Sequence, residues 1–158
     1  MSERRVFTFG DFDLIHVGVV KLLRFAAQEF AASGTEVELT VALRTDEVID
    51  CQRRERLHTF EERLEMLSMM RHVSFVRRLE DELPIQMLID MYRVANGPHV
   101  IVEPTTRLKG RTTDLEIAVG AYGGIVIPYD TTHDKAHYWS LRAFRDRSKT
   151  MKKLRRKV

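Results

Sequence analysis

The segment that most constrains the fold is residues 6–26, where a run of β-forming residues breaks at Gly10 and an apolar helical pattern begins near His16. A strand followed at once by a helix is the repeating unit of α/β proteins. The first N–H groups of a helix lack intrahelical partners and lie at the positive end of its dipole, so such a junction favours phosphate. We therefore expect an anion-binding site beside His16.

The rest of the chain alternates strand-length apolar runs with segments of helical spacing. This pattern predicts strands at 6–9, 37–43, 73–76, 99–102 and 125–128, and helices at 17–32, 60–71, 84–94, 115–122 and 135–147. Residues 44–58 are polar and predict a loop that includes a short helix, and Thr59 with Glu62 predicts a capping box. The order indicates an α/β fold with a parallel sheet and helices on its faces.

Length and composition indicate one domain of an ordinary globular protein. The chain has 158 residues, 44% of them hydrophobic and 31% charged, and no apolar run long enough to cross a bilayer. We expect a domain over residues 1–144 and a basic tail over residues 145–158. No apolar secretory segment follows the charged N-terminus, and the lone Cys51 cannot form an internal disulfide, so a reducing, cytoplasmic location is expected.

The strand-to-helix junction carries the clearest motif, Gly10-Asp11-Phe12-Asp13-Leu14-Ile15-His16-Val17-Gly18-Val19. It resembles the G-T-F-D-x-x-H-x-G-H signature of the cytidylyltransferase-like nucleotidyltransferases. The resemblance implies a doubly wound, Rossmann-like sheet of five parallel strands with helices on both faces. It also implies that His16 contacts the α-phosphate, and that nucleotide contacts come from Phe9, Gly10, Asp11, Phe12, Asp13 and Gly18. Because glycine has no side chain, Gly18 leaves room for a phosphate or base.

Two positions depart from the signature. Val19 stands where the family has its second histidine, and the loss of one transition-state donor typically costs about a hundredfold to a thousandfold in rate. Asp11 stands where the family has threonine or serine. A carboxylate there repels a triphosphate, so Asp11 either points away, helps to hold Mg²⁺ with the nucleotide, or marks a site that no longer takes a triphosphate. For Asp13 two roles are equally compatible with the sequence: it either organises the turn or contacts the substrate.

Several cationic side chains are candidates for neutralising phosphate charge. The resemblance implies catalytic roles for Lys21 and Arg63, and Arg44-Thr45-Asp46 resembles the family's Ser-Thr-Asp segment. Nucleotide-binding candidates in the second half of the chain are Arg107, Lys109 and Arg142. Residues 129–142 contain no clean counterpart of the family's Ser/Thr-rich motif.

Two hypotheses follow. The first is an enzyme that transfers CMP from CTP to a small phosphorylated alcohol or sugar, with pyrophosphate release and Mg²⁺ assistance. The second is a nucleotide-binding or scaffold module that has lost efficient turnover and contacts nucleic acid through its tail. The tail carries a net charge of +7, and the remainder of the chain carries −4. The alternative to a nucleic-acid contact is that the tail is a solvated helix end with no binding role. A homodimer and the absence of a membrane partner are also expected, the former by analogy.

Overall fold

A computed structural model describes residues 2–31, 35–105 and 114–130. In chain order its elements are β1 (Ser2–Gly10), α1 (Val17–Gln28), β2 (Thr35–Arg44), α2 (Asp46–Cys51), α3 (Phe60–Ser68), β3 (Phe75–Leu79), α4 (Ile85–Arg93), β4 (Val100–Thr105), α5 (Asp114–Gly120) and β5 (Ile125–Asp130). The predicted helix at 135–147 and the basic tail lie outside the described residues. None of the helices in the described ranges is long and apolar enough to cross a membrane.

The strands form one five-stranded sheet in the order β3-β2-β1-β4-β5, and every pairing is parallel. The chain winds outward from β1 to β3 and then returns to place β4 on the other side of β1. The strand order therefore reverses between β1 and β4, and in open α/β sheets ligands bind beyond the carboxyl ends of the strands near such a reversal. The predicted Rossmann-like class is confirmed.

The core has two layers, one on each face of the sheet, because successive strand residues point to opposite faces. Val6 of β1 packs in a cluster with Leu22 and Leu23 of α1 and Leu67 of α3. Phe7 and Phe9 of the same strand enter a second cluster with residues of α4 and α5, among them Leu88 and Leu115. Helices thus cover both faces, as predicted.

The local signals near the site are also confirmed, with shifted boundaries. The Thr59 side chain accepts from the Glu62 N–H while the Glu62 carboxylate accepts from the Thr59 N–H, which completes the predicted capping box of α3. Residues 46–51 form the expected short helix. Strand β3 begins two residues later than predicted, because the Val73 N–H donates to the Met70 carbonyl oxygen in a turn and the Leu39 N–H donates to the Ser74 hydroxyl.

Candidate functional site

His16 caps α1 and is held in one orientation by the helix it begins. Its backbone is extended, and its Nδ1 accepts a hydrogen bond of 3.0 Å from the Gly18 N–H. In a neutral ring this bond assigns the proton to Nε2, which becomes a donor. Burial lowers the pKa of His16 below its usual value, so the neutral form dominates near neutral pH. The site therefore has a neutral imidazole donor at a helix N-terminus.

The loop before His16 is tightly constrained. Phe12 has a positive φ of 47°, a conformation that bulky residues rarely adopt, and its ring is buried. A Cβ on Gly10 would lie 3.2 Å from that ring, a tight contact that would require the ring to shift by a few tenths of an ångström. The rings of Phe9 and Phe12 both belong to the core. Both were predicted to bind nucleotide, and the structure places their side chains in the core.

Asp13 joins this loop to the segment before α3. Its carboxylate accepts from the backbone N–H groups of Leu57 at 2.6 Å and of His58 at 2.9 Å. The Nδ1 of His58 lies 2.7 Å from the Asp13 carbonyl oxygen. Because Asp13 is buried and its carboxylate is bonded to the protein backbone, it takes the turn-organising role of the two considered. His58 was not singled out from the sequence, since its partner is 45 residues away.

Arg63 lies on α3, with its side chain fully buried. One terminal nitrogen donates to the carbonyl oxygens of Asp11 at 2.7 Å and Arg44 at 2.9 Å, and the other donates to Asp46 Oδ1 at 2.7 Å. The guanidinium thus ties the ends of β1 and β2 to α2. The sequence predicted direct neutralisation of phosphate by Arg63, but its terminal nitrogens are already engaged by the protein. In this structure Arg63 is a positioning residue.

Four charged side chains meet above the ends of β1 and β2, and we name them the arginine–carboxylate cluster: Asp11, Arg44, Arg54 and Glu82. Arg44 donates to Asp11 Oδ1 at 3.0 Å, and its other donors bond the Glu82 carbonyl oxygen at 2.9 and 2.6 Å. Arg54 makes a bidentate pair with the Glu82 carboxylate at 3.0 and 2.9 Å and lies 3.4 Å from Asp11. Asp11 therefore points toward cations of the protein.

The remaining predicted site residues differ in how far the structure locates them. Val19 is partly buried against the core, so the position of the family's second histidine holds no donor. Lys21 is half-buried on the second turn of α1. The Gly18 N–H is used by His16. Arg107, Lys109 and Arg142 lie outside the described residues.

The described residues do not fit a magnesium ion held by the protein alone. They contain no group of three or more histidine, cysteine or acidic side chains arranged for a metal. The two carboxylates of the loop that precedes His16 already accept hydrogen bonds, Asp13 from the backbone and Asp11 from Arg44. Because Mg²⁺ is often held by substrate phosphates with few protein carboxylates, an ion carried by the nucleotide needs no such cage.

A cavity of about 530 Å³ opens beside the same loop, between Ile15, His58 and α3. Its other lining residues are Glu62, Glu65, Met66, Met69 and Met70. This size suits a small molecule, but the methionines and carboxylates make it a poor phosphate site. The cavity is therefore distinct from the helix N-terminus at which His16 lies.

The sheet order and the histidine-capped first helix define a Rossmann-like α/β protein with its candidate site at the carboxyl ends of the strands. The family model for cytidylyltransferase-like proteins matches residues 7–151. The chain therefore belongs to the cytidylyltransferase-like family of nucleotidyltransferases.

Two proteins are similar to this chain, one in sequence and one in fold. A glycerol-3-phosphate cytidylyltransferase from Staphylococcus aureus is 37% identical over 73 residues, which span 46% of this chain and 51% of the relative. The chain thus matches about half of that relative's length. The crystal structure of a lipopolysaccharide core biosynthesis protein from Thermoplasma volcanium superposes with a TM-score of 0.61 at 20% identity, covering 80% of this chain and 98% of that one. This likeness supports the fold alone.

Proposed function

We propose that the chain transfers CMP from CTP to a small phosphorylated alcohol or sugar and releases pyrophosphate. The single observation that carries the proposal is the oriented His16, whose Nδ1 is held by the Gly18 N–H and whose Nε2 is left to donate at the start of α1. The choice of CTP and of a phosphorylated alcohol is supported by the name of the relative that is 37% identical over 73 residues.

In the proposed reaction an oxygen of the acceptor's phosphate attacks the α-phosphorus of CTP. A new P–O bond forms, the bond to the bridging oxygen breaks, and its electron pair leaves with pyrophosphate. Because the attacking phosphate is already ionised, no general base is needed, and catalysis consists of positioning and charge stabilisation. His16 donates from Nε2 to the α-phosphate or the bridging oxygen, and the ammonium of Lys21 stabilises negative charge. A Mg²⁺ ion would be held by the phosphates of the nucleotide rather than by the described residues, and it would supply charge neutralisation there.

A second candidate is a nucleotide-binding module with impaired turnover. The observation that favours it is Val19, which packs against the core where a second histidine donor would stand. In this alternative the backbone site at the start of α1 still binds a nucleotide, but too few groups stabilise the transition state.

Pyrophosphate release separates the two candidates. We expect the parent protein to turn over with CTP and a phosphorylated alcohol or sugar, and His16→Ala to lower the rate by about a hundredfold or more. His16→Asn is the matched control, because asparagine is a good N-cap residue but does not reproduce the imidazole donor. We expect it to retain the thermal stability that His16→Ala loses while remaining equally slow.

The assay should use each nucleoside triphosphate in turn with a panel of phosphorylated alcohols and sugars. If no combination gives release above the His16→Ala background, the enzyme proposal fails and binding alone remains. If both variants keep the parent rate, His16 has no catalytic role.

A further inference from the structure

The arginine–carboxylate cluster lies at the edge of the sheet where the family's substrates are proposed to bind. Asp11 directly follows β1, Arg44 ends β2, and Glu82 lies three residues beyond the end of β3. Its two arginines are each in contact with both carboxylates, so the formal charges cancel. Arg44 and Arg54 are therefore already neutralised by the protein.

Arg44 is held in place independently of Asp11. Its guanidinium donates twice to the Glu82 carbonyl oxygen and lies 5.4 Å from the centre of the Phe9 ring. Its side chain is only 10% exposed, whereas that of Asp11 is 28% exposed. Removal of the Asp11 carboxylate would thus free one donor of an arginine that stays oriented. A preorganised guanidinium of this kind suits a phosphate oxygen.

The two residues in contact are also the two that replace small hydroxyl residues of the family pattern. Asp11 stands at its threonine or serine, and Arg44 stands at the serine of its Ser-Thr-Asp segment. Their nearest side-chain atoms are 3.0 Å apart. The carboxylate at position 11 is therefore paired with the cation at position 44.

We propose that Asp11 is an internal competitor for substrate phosphate. It occupies Arg44 and Arg54 in the empty protein, and a polyanionic substrate must displace it to use them. The proposal rests on the proposed function, since it assumes that a phosphorylated substrate binds at this edge. Because a carboxylate and a phosphate repel each other at the same cation, Asp11 sets the affinity of the site.

The test compares Asp11→Asn with Asp50→Asn. Asn is nearly isosteric with Asp but neutral, so it removes the competitor and leaves Arg44 in place. Asp50 is the matched control, because it is bonded by Arg56 at 3.0 and 3.2 Å outside the cluster and its loss changes the net charge equally. Calorimetric titration with inorganic pyrophosphate, with and without Mg²⁺, should show about tenfold tighter binding to Asp11→Asn and little change for Asp50→Asn.

A double variant shows whether the gain passes through the arginine. Adding Arg44→Gln to Asp11→Asn should abolish the tighter binding, while urea unfolding confirms that each variant is folded. Equal or weaker binding to Asp11→Asn overturns the proposal. Weaker binding found only with Mg²⁺ also overturns it, because it would identify Asp11 as a metal ligand. An equal gain in pyrophosphate affinity in Asp11→Asn and Asp50→Asn overturns it as well, since the change in net charge alone would explain both.

CTP turnover keeps the two proposals apart. If Asp11→Asn binds pyrophosphate more tightly but no variant turns over, the competitor proposal stands and the enzyme proposal fails. If the parent turns over and Asp11→Asn shows no gain in affinity, the enzyme proposal stands and the competitor proposal fails. If no variant binds pyrophosphate or CTP, both fail.

Discussion

At the scale of single residues, the buried guanidinium of Arg63 holds several segments of the fold together. Its side chain is 0% exposed, and it bonds backbone oxygens of two strand ends as well as Asp46. Replacing it with Met keeps the bulk but leaves those acceptors without their donors. We expect Arg63→Met to lower the free energy of unfolding by about 3 kcal/mol, measured by urea denaturation.

Arg56 provides the control for this prediction, because it pairs with the same Asp46 from the surface. Its side chain is 28% exposed and its nearest nitrogen is 3.4 Å from Asp46. Surface ion pairs contribute little, so Arg56→Met should cost about 1 kcal/mol or less. A similar loss in both variants would mean that Arg63 does not organise the site beyond its pairing with Asp46.

These residues show how far sequence reasoning reaches at this scale. His16 could be located because its motif is local: the cap, the glycine that bonds it and the helix lie within three positions. The contacts of Arg63 and Asp13 join residues 17 to 52 positions apart, which no local spacing encodes. The position of His16 at the start of α1 was therefore predictable, but the long-range contacts of Arg63 and Asp13 were not.

At the scale of elements, β4 carries an ionisable side chain in an unfavourable position. Burial raises the pKa of Glu103 above its usual value of 4.5, and the negative charge of Glu116 on α5 raises it further. Below that usual value the carboxyl is protonated in both the folded and unfolded states. As pH rises, the unfolded state ionises first, so the folded state loses stability until its own carboxyl ionises.

Glu103→Gln should remove this loss. We expect the variant to melt at a higher temperature than the parent near neutral pH and at the same temperature near pH 4. Differential scanning calorimetry of both proteins across this pH range measures the difference. Glu116→Gln should recover part of the gain, because only the second cause is removed. If the melting temperatures of variant and parent differed by the same amount at all pH values, the effect would come from packing, and the prediction would be contradicted.

The elements themselves were predictable because hydrophobic periodicity and capping are local. The predicted start of β3 was wrong by two residues, where the Ser74 side chain accepts a hydrogen bond from the neighbouring strand. Helix α1 ends at Gln28, four residues short of the apolar pattern that predicted it. An apolar residue after a helix end can still pack on the core without extending the helix, as Phe30 does against Phe25.

At the scale of the whole molecule, the charges are unevenly divided along the chain. The last 14 residues carry +7, and the remainder carries −4. Neutralising nucleic-acid phosphates releases counterions, so binding through such a segment weakens steeply with salt. We predict that deleting residues 145–158 abolishes salt-sensitive retention on immobilised nucleic acid.

A narrower variant separates this effect from damage to the domain. The family match extends to residue 151, so the deletion removes part of it, whereas five basic residues lie beyond it: Lys152, Lys153, Arg155, Arg156 and Lys157. Glutamine at all five should shift elution to lower salt and leave pyrophosphate release by the remaining domain unchanged. Exchanging lysine for arginine and arginine for lysine at the same positions preserves charge and should preserve retention. An unchanged salt profile in the glutamine variant would contradict a nucleic-acid role for residues 152–157.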